Sequence, residues 1–121
     1  MTKLALLGSL LLAASAQATT TLTTSIGFAG SNVMCLSLNA TTKPVEVDSV
    51  TFVRPDGSSV PPTSSTCSYP GLISPGQACR DSLNTGGLIR CVIVTKGNVK
   101  SIRASLLLFD TTGSESILEA R

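Results

Sequence analysis

The chain has no histidine, no tryptophan and a single tyrosine, Tyr69, among its 121 residues. Without imidazole, neither a Ser-His-Asp nor a Cys-His nucleophile can be assembled, and zinc or copper sites built on histidine are ruled out. So few aromatic side chains leave little for stacking on bases or sugars. No lysine follows a serine at the S-x-x-K spacing of serine-lysine catalysis. The four cysteines form no C-x-x-C, so neither a thioredoxin-like redox site nor a zinc knuckle is indicated. Asp56, Asp81, Asp110, Glu115 and Glu119 are scattered and make no D-x-D-x-D calcium loop. Charge is scarce as well, with a formal net charge of only +2, which gives no electrostatic footprint for nucleic acid or an acidic membrane. These absences point away from an enzyme and away from any cofactor or metal.

What is present begins with an export signal. Lys3 precedes an apolar run from Leu4 to Ala14, and Ser15-Ala16-Gln17-Ala18 then offers an A-x-A cleavage site. The run is too short for a stable span of a ~30 Å hydrocarbon core, which takes about 20 residues. Cleavage after Ala18 is therefore expected, giving a signal peptide over 1–18 and one domain over 19–121. No later run is long enough to span a membrane, so no membrane insertion is expected after cleavage. No cysteine stands at the cleavage point and no hydrophobic tail ends the chain, which argues against a lipid anchor. A compact signal with one lysine suits a bacterial periplasmic or secreted protein. Export carries Cys35, Cys67, Cys79 and Cys91 into an oxidising compartment, where four thiols most simply become two disulfides.

The mature chain shows no 3.6-residue apolar period. Short β-branched runs separated by Gly, Pro, Asn and Asp dominate, the pattern of an all-β sandwich or barrel. Strands are expected over 22–28, 33–38, 45–53 and 116–120, with weak ones near 59–60 and 78–82. Residues 88–109 read as a hairpin turning at Gly97-Asn98, a two-residue loop with Gly first. That register would pair Ile93 with Ile102, Cys91 with Ala104 and Ile89 with Leu106, all six on one inward side. In the 45–53 strand the apolar phase changes after Asp48, and a bulge near Asp48-Ser49 would restore one apolar face. The architecture expected is an immunoglobulin-like antiparallel β-sandwich of about seven short strands, stapled by disulfides and lacking the core tryptophan of antibody domains.

Few residues offer binding chemistry. Arg90 and Arg103 fall on the outer face of the expected hairpin as diagonal neighbours, roughly 7–8 Å apart. Together they form a candidate anion patch, or else cover Val92 and Val94 with their stems and pair with acids on the next strand. Glu46 and Asp48, at i and i+2 of a strand, are the only close acids and the sole candidate acid/base or divalent-ion pair. Asn39-Ala40-Thr41 is a glycan acceptor tripeptide or a polar turn. The expected disulfides are Cys35–Cys91 and Cys67–Cys79, with Cys35–Cys67 and Cys79–Cys91 as the alternative. Against the first pairing, Met34, Leu36 and Leu38 all alternate away from Cys35, which faces the core only if its strand is buried on both sides or bulged. The Pro/Gly/Ser-rich stretch between Cys67 and Cys79 reads either as a plain connection or as a rigid recognition loop.

The succession of Cys35 with Asn39, Val45 to Phe52 leading to Gly57, Cys67, Leu72 to Cys79, Cys91 to Val94, and Ile102 to Leu106 resembles small exported bacterial proteins of unknown function with a four-cysteine β-sandwich. The resemblance implies an exported sandwich and carries over no catalytic residue, ligand or partner. The functional expectation is a non-catalytic exported module that binds a protein or cell-envelope component, or packs into a larger assembly. The alternative is a small extracytoplasmic enzyme inhibitor that uses the disulfide-closed loop 67–79 as a plug.

Overall fold

A computed structural model of the chain describes residues 19–97, 102–110, 112 and 115–119, so the expected signal peptide lies outside the described residues. Eleven antiparallel strands are described. They are β1 (Thr19–Thr23), β2 (Gly27–Ala29), β3 (Asn32–Asn39), β4 (Val45–Val53), β5 (Ser59–Val60), β6 (Ser64–Ser65), β7 (Gly71–Ile73), β8 (Ala78–Leu83), β9 (Gly87–Lys96), β10 (Ile102–Phe109) and β11 (Glu115–Glu119). Seven of them run five residues or more, and the other four are pieces of two or three. One sheet has the order β1-β9-β4-β5, with β2 also on β9 and β7 also on β4. The other has the order β11-β10-β3-β8-β6. The chain is thus an all-β, two-sheet sandwich.

Alternation explains the core. Each long strand turns every second side chain inward, as a two-residue period demands. Val33 and Cys35 on β3, Val50 and Phe52 on β4, Ile89, Cys91 and Ile93 on β9, and Ala104, Leu106 and Leu108 on β10 are all buried in one cluster. Within β4 the pairing with β9 skips between Val47 and Ser49. Asp48 is the extra residue, and it restores Val45, Val47, Val50 and Phe52 to a single face, as the change of apolar phase requires.

The hairpin expected over 88–109 does not form. β9 and β10 belong to opposite sheets, and residues 98–101 of the connection lie outside the described residues. Both edges of β9 are occupied, by β4 on one side and by β1 and β2 on the other. β10 is likewise held between β3 and β11. The six residues expected to face inward are buried all the same, at 0 to 5% exposure. They belong to facing layers of one core rather than to one ribbon. Period-two patterning determines which side chains point inward but not which strand lies alongside. Gly97 keeps the positive φ (84°) that a glycine there permits, in a connection between sheets.

Both expected disulfides are present. Cys35 of β3 joins Cys91 of β9 across the sandwich, and Cys67 joins Cys79 of β8. On the chain-entropy view, closing loops with separations of 56 and 12 residues stabilises the fold by about 4 and about 3 kcal/mol. Cys35 faces the core without any bulge. Its strand turns Val33, Cys35, Ser37 and Asn39 inward and leaves Met34, Leu36 and Leu38 half-buried on the outer face.

Candidate functional site

The segment from Val60 to Ala78 crosses between the sheets repeatedly, since β5 and β7 belong to one and β6 and β8 to the other. Three ties hold it in place. The Cys67–Cys79 disulfide is the first. Two residues on from each cysteine, the Tyr69 hydroxyl donates to Asp81 Oδ2 at 2.6 Å. The third is Asn39, whose Nδ2 donates to the carbonyls of Ile73 and Lys43, both at 2.8 Å. Asn39 Oδ1 accepts from the Thr41 amide at 2.9 Å. Asn39 is fully buried with both ends of its amide engaged, so in the folded protein it is a structural tie and not a glycan acceptor.

Asp81 is the chemically unusual group. It is wholly buried on the inner face of β8, and its Oδ1 has no hydrogen-bond partner. Burial pushes its carboxyl above the usual carboxylate range, while the Ser65 and Tyr69 hydroxyls pull the other way. Burial, together with the hydrogen bond and charge of Asp81, raises the Tyr69 phenol and keeps it a donor. Through its bond to Tyr69, Asp81 fastens the segment to β8. Leu72, at 69% exposure, is the one large apolar side chain that the fastened segment presents to solvent.

The acid pair has a different fate from a catalytic one. Lys96 Nζ lies 3.2 Å from Glu46 Oε1 and 3.7 Å from Asp48 Oδ1, so one ammonium is shared between the two acids on the outer face of the first sheet. The hydrogen bond that Lys96 donates to Glu46, with the charges of both acids, raises the Lys96 pKa above the usual lysine value. The partner of these acids is thus Lys96 and not Arg90. Among the described residues no group of three His, Cys, Asp or Glu side chains could hold a metal ion.

Arg90 and Arg103 are not brought together. Arg90 lies on β9 opposite Val53 of β4, and Arg103 lies on β10 opposite Leu38 of β3. Both point outward from different sheets, so they occupy opposite faces of the sandwich. The diagonal-neighbour geometry required by an Arg90/Arg103 anion patch fell with the hairpin that supplied it.

Sequence reasoning missed an apolar cluster at one edge. Phe28 of β2 and Leu88 of β9 are cross-strand partners, exposed by 69% and 49%, with Ile26 beside them at 46%. The pairing runs from Thr23↔Val92 to Gly27↔Ile89, four steps against three, so an extra residue sits at Ser25-Ile26. This bulge interrupts the edge. β1 and β2 contain none of the lysines or prolines that usually protect an edge strand, and no charged residue occurs anywhere from residue 19 to 42. That uncharged stretch was the available signal.

No protein-family model matches the chain, and no curated protein or solved structure does either. Among the described residues, no helix is long and apolar enough to cross a membrane.

Proposed function

We propose that this is a non-catalytic exported module, bacterial in origin, that acts in the periplasm or outside the cell by binding an extended segment of an envelope protein. The observation that carries this reading is the uncharged β1/β2 edge with Ile26, Phe28 and Leu88 exposed beside it. An open strand edge offers backbone hydrogen bonds to an incoming strand, and apolar side chains beside it supply anchoring contacts. Two disulfides and the absence of a described membrane-spanning helix are compatible with an extracytoplasmic place of work. The immunoglobulin-like reading is supported by a disulfide that joins the two sheets through the core. Nothing in the arrangement of Glu46, Asp48 and Lys96 calls for a reaction.

A second reading is favoured by Leu72. A side chain 69% exposed on a segment fixed by a disulfide and buried hydrogen bonds suits an inhibitor's contact point. Three forms of the protein, used as baits against an envelope extract, separate the two. They are the wild type, a Phe28→Ser/Leu88→Ser variant and a chain with residues 68–77 replaced by Gly-Ser. Capture of a defined envelope protein lost only in the edge variant supports the first reading. Loop-dependent capture of a hydrolase, with loss of its activity, supports the second. Capture equal in all three forms contradicts both.

A further inference from the structure

Arg90 is an outward-facing cation in apolar surroundings. Alternation along β9 puts Leu88, Arg90 and Val92 in one column on the outer face of the first sheet. On one side the register sets Arg90 opposite Val53, which is only 9% exposed although it faces outward. On the other side Arg90 meets the bulge. Thr24 is hydrogen-bonded to Cys91 and Gly27 is paired with Ile89, so Ser25 and Ile26 share the one place opposite Arg90. The positions around Arg90 on this face are thus held by Ile26, Leu88, Val53 and Val92, with Phe28 opposite Leu88.

The acids that could serve this guanidinium are engaged or placed elsewhere. Glu46 and Asp48 share Lys96, which stands about 20 Å further along β9 at roughly 3.4 Å per residue. Asp56 accepts from the amide and hydroxyl of Ser58 and has Arg54 as its nearby cation. Asp81 is inside the core, while Asp110 follows β10 and Glu115 and Glu119 lie on β11, all in the second sheet. Among the described residues Arg90 forms no ion pair, and its Nε is sealed from solvent without an acceptor. A lysine or histidine so placed could shed its charge, but a guanidinium cannot, so the cost of its desolvation persists until an anion meets it. A carboxylate matches the planar fork and answers that cost directly.

Resting on the reading of the β1/β2 edge as a docking site, we propose that the bound segment carries a carboxylate side chain two residues after a large apolar one. The carboxylate meets Arg90, and the apolar side chain packs against Phe28 and Leu88. The spacing follows from the pleat, since Leu88 and Arg90 are two residues apart on one face and a strand laid alongside repeats that period. The order follows from direction. β1 and β2 run antiparallel to β9, so a strand that adds to them in the more stable antiparallel sense runs with β9 and passes Leu88 before Arg90. Such a strand lies two spacings, or about 9.6 Å, from β9, a gap that an arginine and a glutamate side chain close between them.

The test is selection from a random library of short linear peptides on the exported protein, followed by fluorescence anisotropy of the peptides recovered. The wild type is expected to enrich peptides with Asp or Glu two residues after a large apolar residue. Gln in place of that acid should weaken binding by about tenfold or more, and only the acid form should lose affinity steeply as salt is raised. Arg90→Gln should bind acid and Gln forms alike while its thermal melt keeps one cooperative transition, and Arg90→Glu should prefer Lys at that place. Phe28→Ser should weaken both forms. Should Arg90→Gln fail to fold, the salt dependence of the two peptides on the wild type decides. Equal binding of both forms by the wild type, lost in Phe28→Ser, would overturn this proposal and leave the edge reading standing. A wild type that enriches no peptide, or gathers on anionic vesicles instead, would overturn both. An acid preference unchanged in Arg90→Gln would also overturn the assignment of the carboxylate to Arg90.

Discussion

Burial of the Asp81 carboxylate beneath the 67–79 crosslink gives the protein a pH response of definite sign. The folded chain holds this proton more tightly than the unfolded chain does. Asp81 therefore favours folding in acid, below the unfolded carboxylate pKa of about 3.9, and that contribution is lost as pH rises through the higher folded value. Asp81→Asn keeps an acceptor for the Tyr69 hydroxyl and removes the buried charge. Urea titrations from pH 4 to 8 should show the variant at least as stable as the wild type at pH 7, with a flatter dependence on pH. A variant that lost stability most at pH 7 would contradict this assignment. Tyr69→Phe removes the hydroxyl that donates to the Asp81 carboxylate at 2.6 Å and should cost about 1–3 kcal/mol at neutral pH. Asn39→Ala removes the donors to Ile73 and Lys43 and the acceptor for Thr41, a loss of about 2–3 kcal/mol in the same titrations. Neither role was read from the sequence. Asp81 stands two residues beyond Cys79, so alternation alone turns it inward, but composition makes an acid look like a surface residue. Asn39 looked like a turn because its partners, Ile73 and Lys43, become neighbours only through the fold.

At the scale of strands, the sequence was legible in its faces and misleading in its pairings. Ile89, Cys91, Ile93, Ile102, Ala104 and Leu106 were correctly turned inward, and the bulge at Asp48 was recoverable from one phase change. The local turn signal at Gly97-Asn98 suggested a hairpin because hairpins are the shortest way to pair two strands. It could not reveal that β1, from far away in the chain, already takes the open edge of β9. Amide and α-proton cross-relaxation should accordingly connect β10 with β3 and β11. Backbone contacts between Cys91 and Ala104, expected of a ribbon, should be absent. Packing between the sheets is testable at Gly27, where a Cβ would run into the Leu108 and Leu118 side chains. Gly27→Ala is expected to cost about 1–3 kcal/mol by overpacking, read as a lowered melting temperature.

For the molecule as a whole, two staples of about 4 and about 3 kcal/mol stand beside a typical total stability of 5–15 kcal/mol. Removing the cross-sheet disulfide by Cys35→Ala/Cys91→Ala should therefore be the more damaging change, with a larger fall in urea midpoint than Cys67→Ala/Cys79→Ala. The cross-sheet pair was legible from cysteine count and core-facing phase, even though the leucines of β3 argued against it. The account rests on export into an oxidising space, where the sandwich closes its staples and presents its surfaces to partners. Its most direct test is the intact mass of the protein recovered from outside the cytoplasm after treatment with an alkylating reagent, without reduction. The account predicts a chain beginning at Thr19, four hydrogens lighter than its fully reduced form and carrying no alkyl groups. A chain that begins at Met1 and takes up four alkyl groups would contradict it.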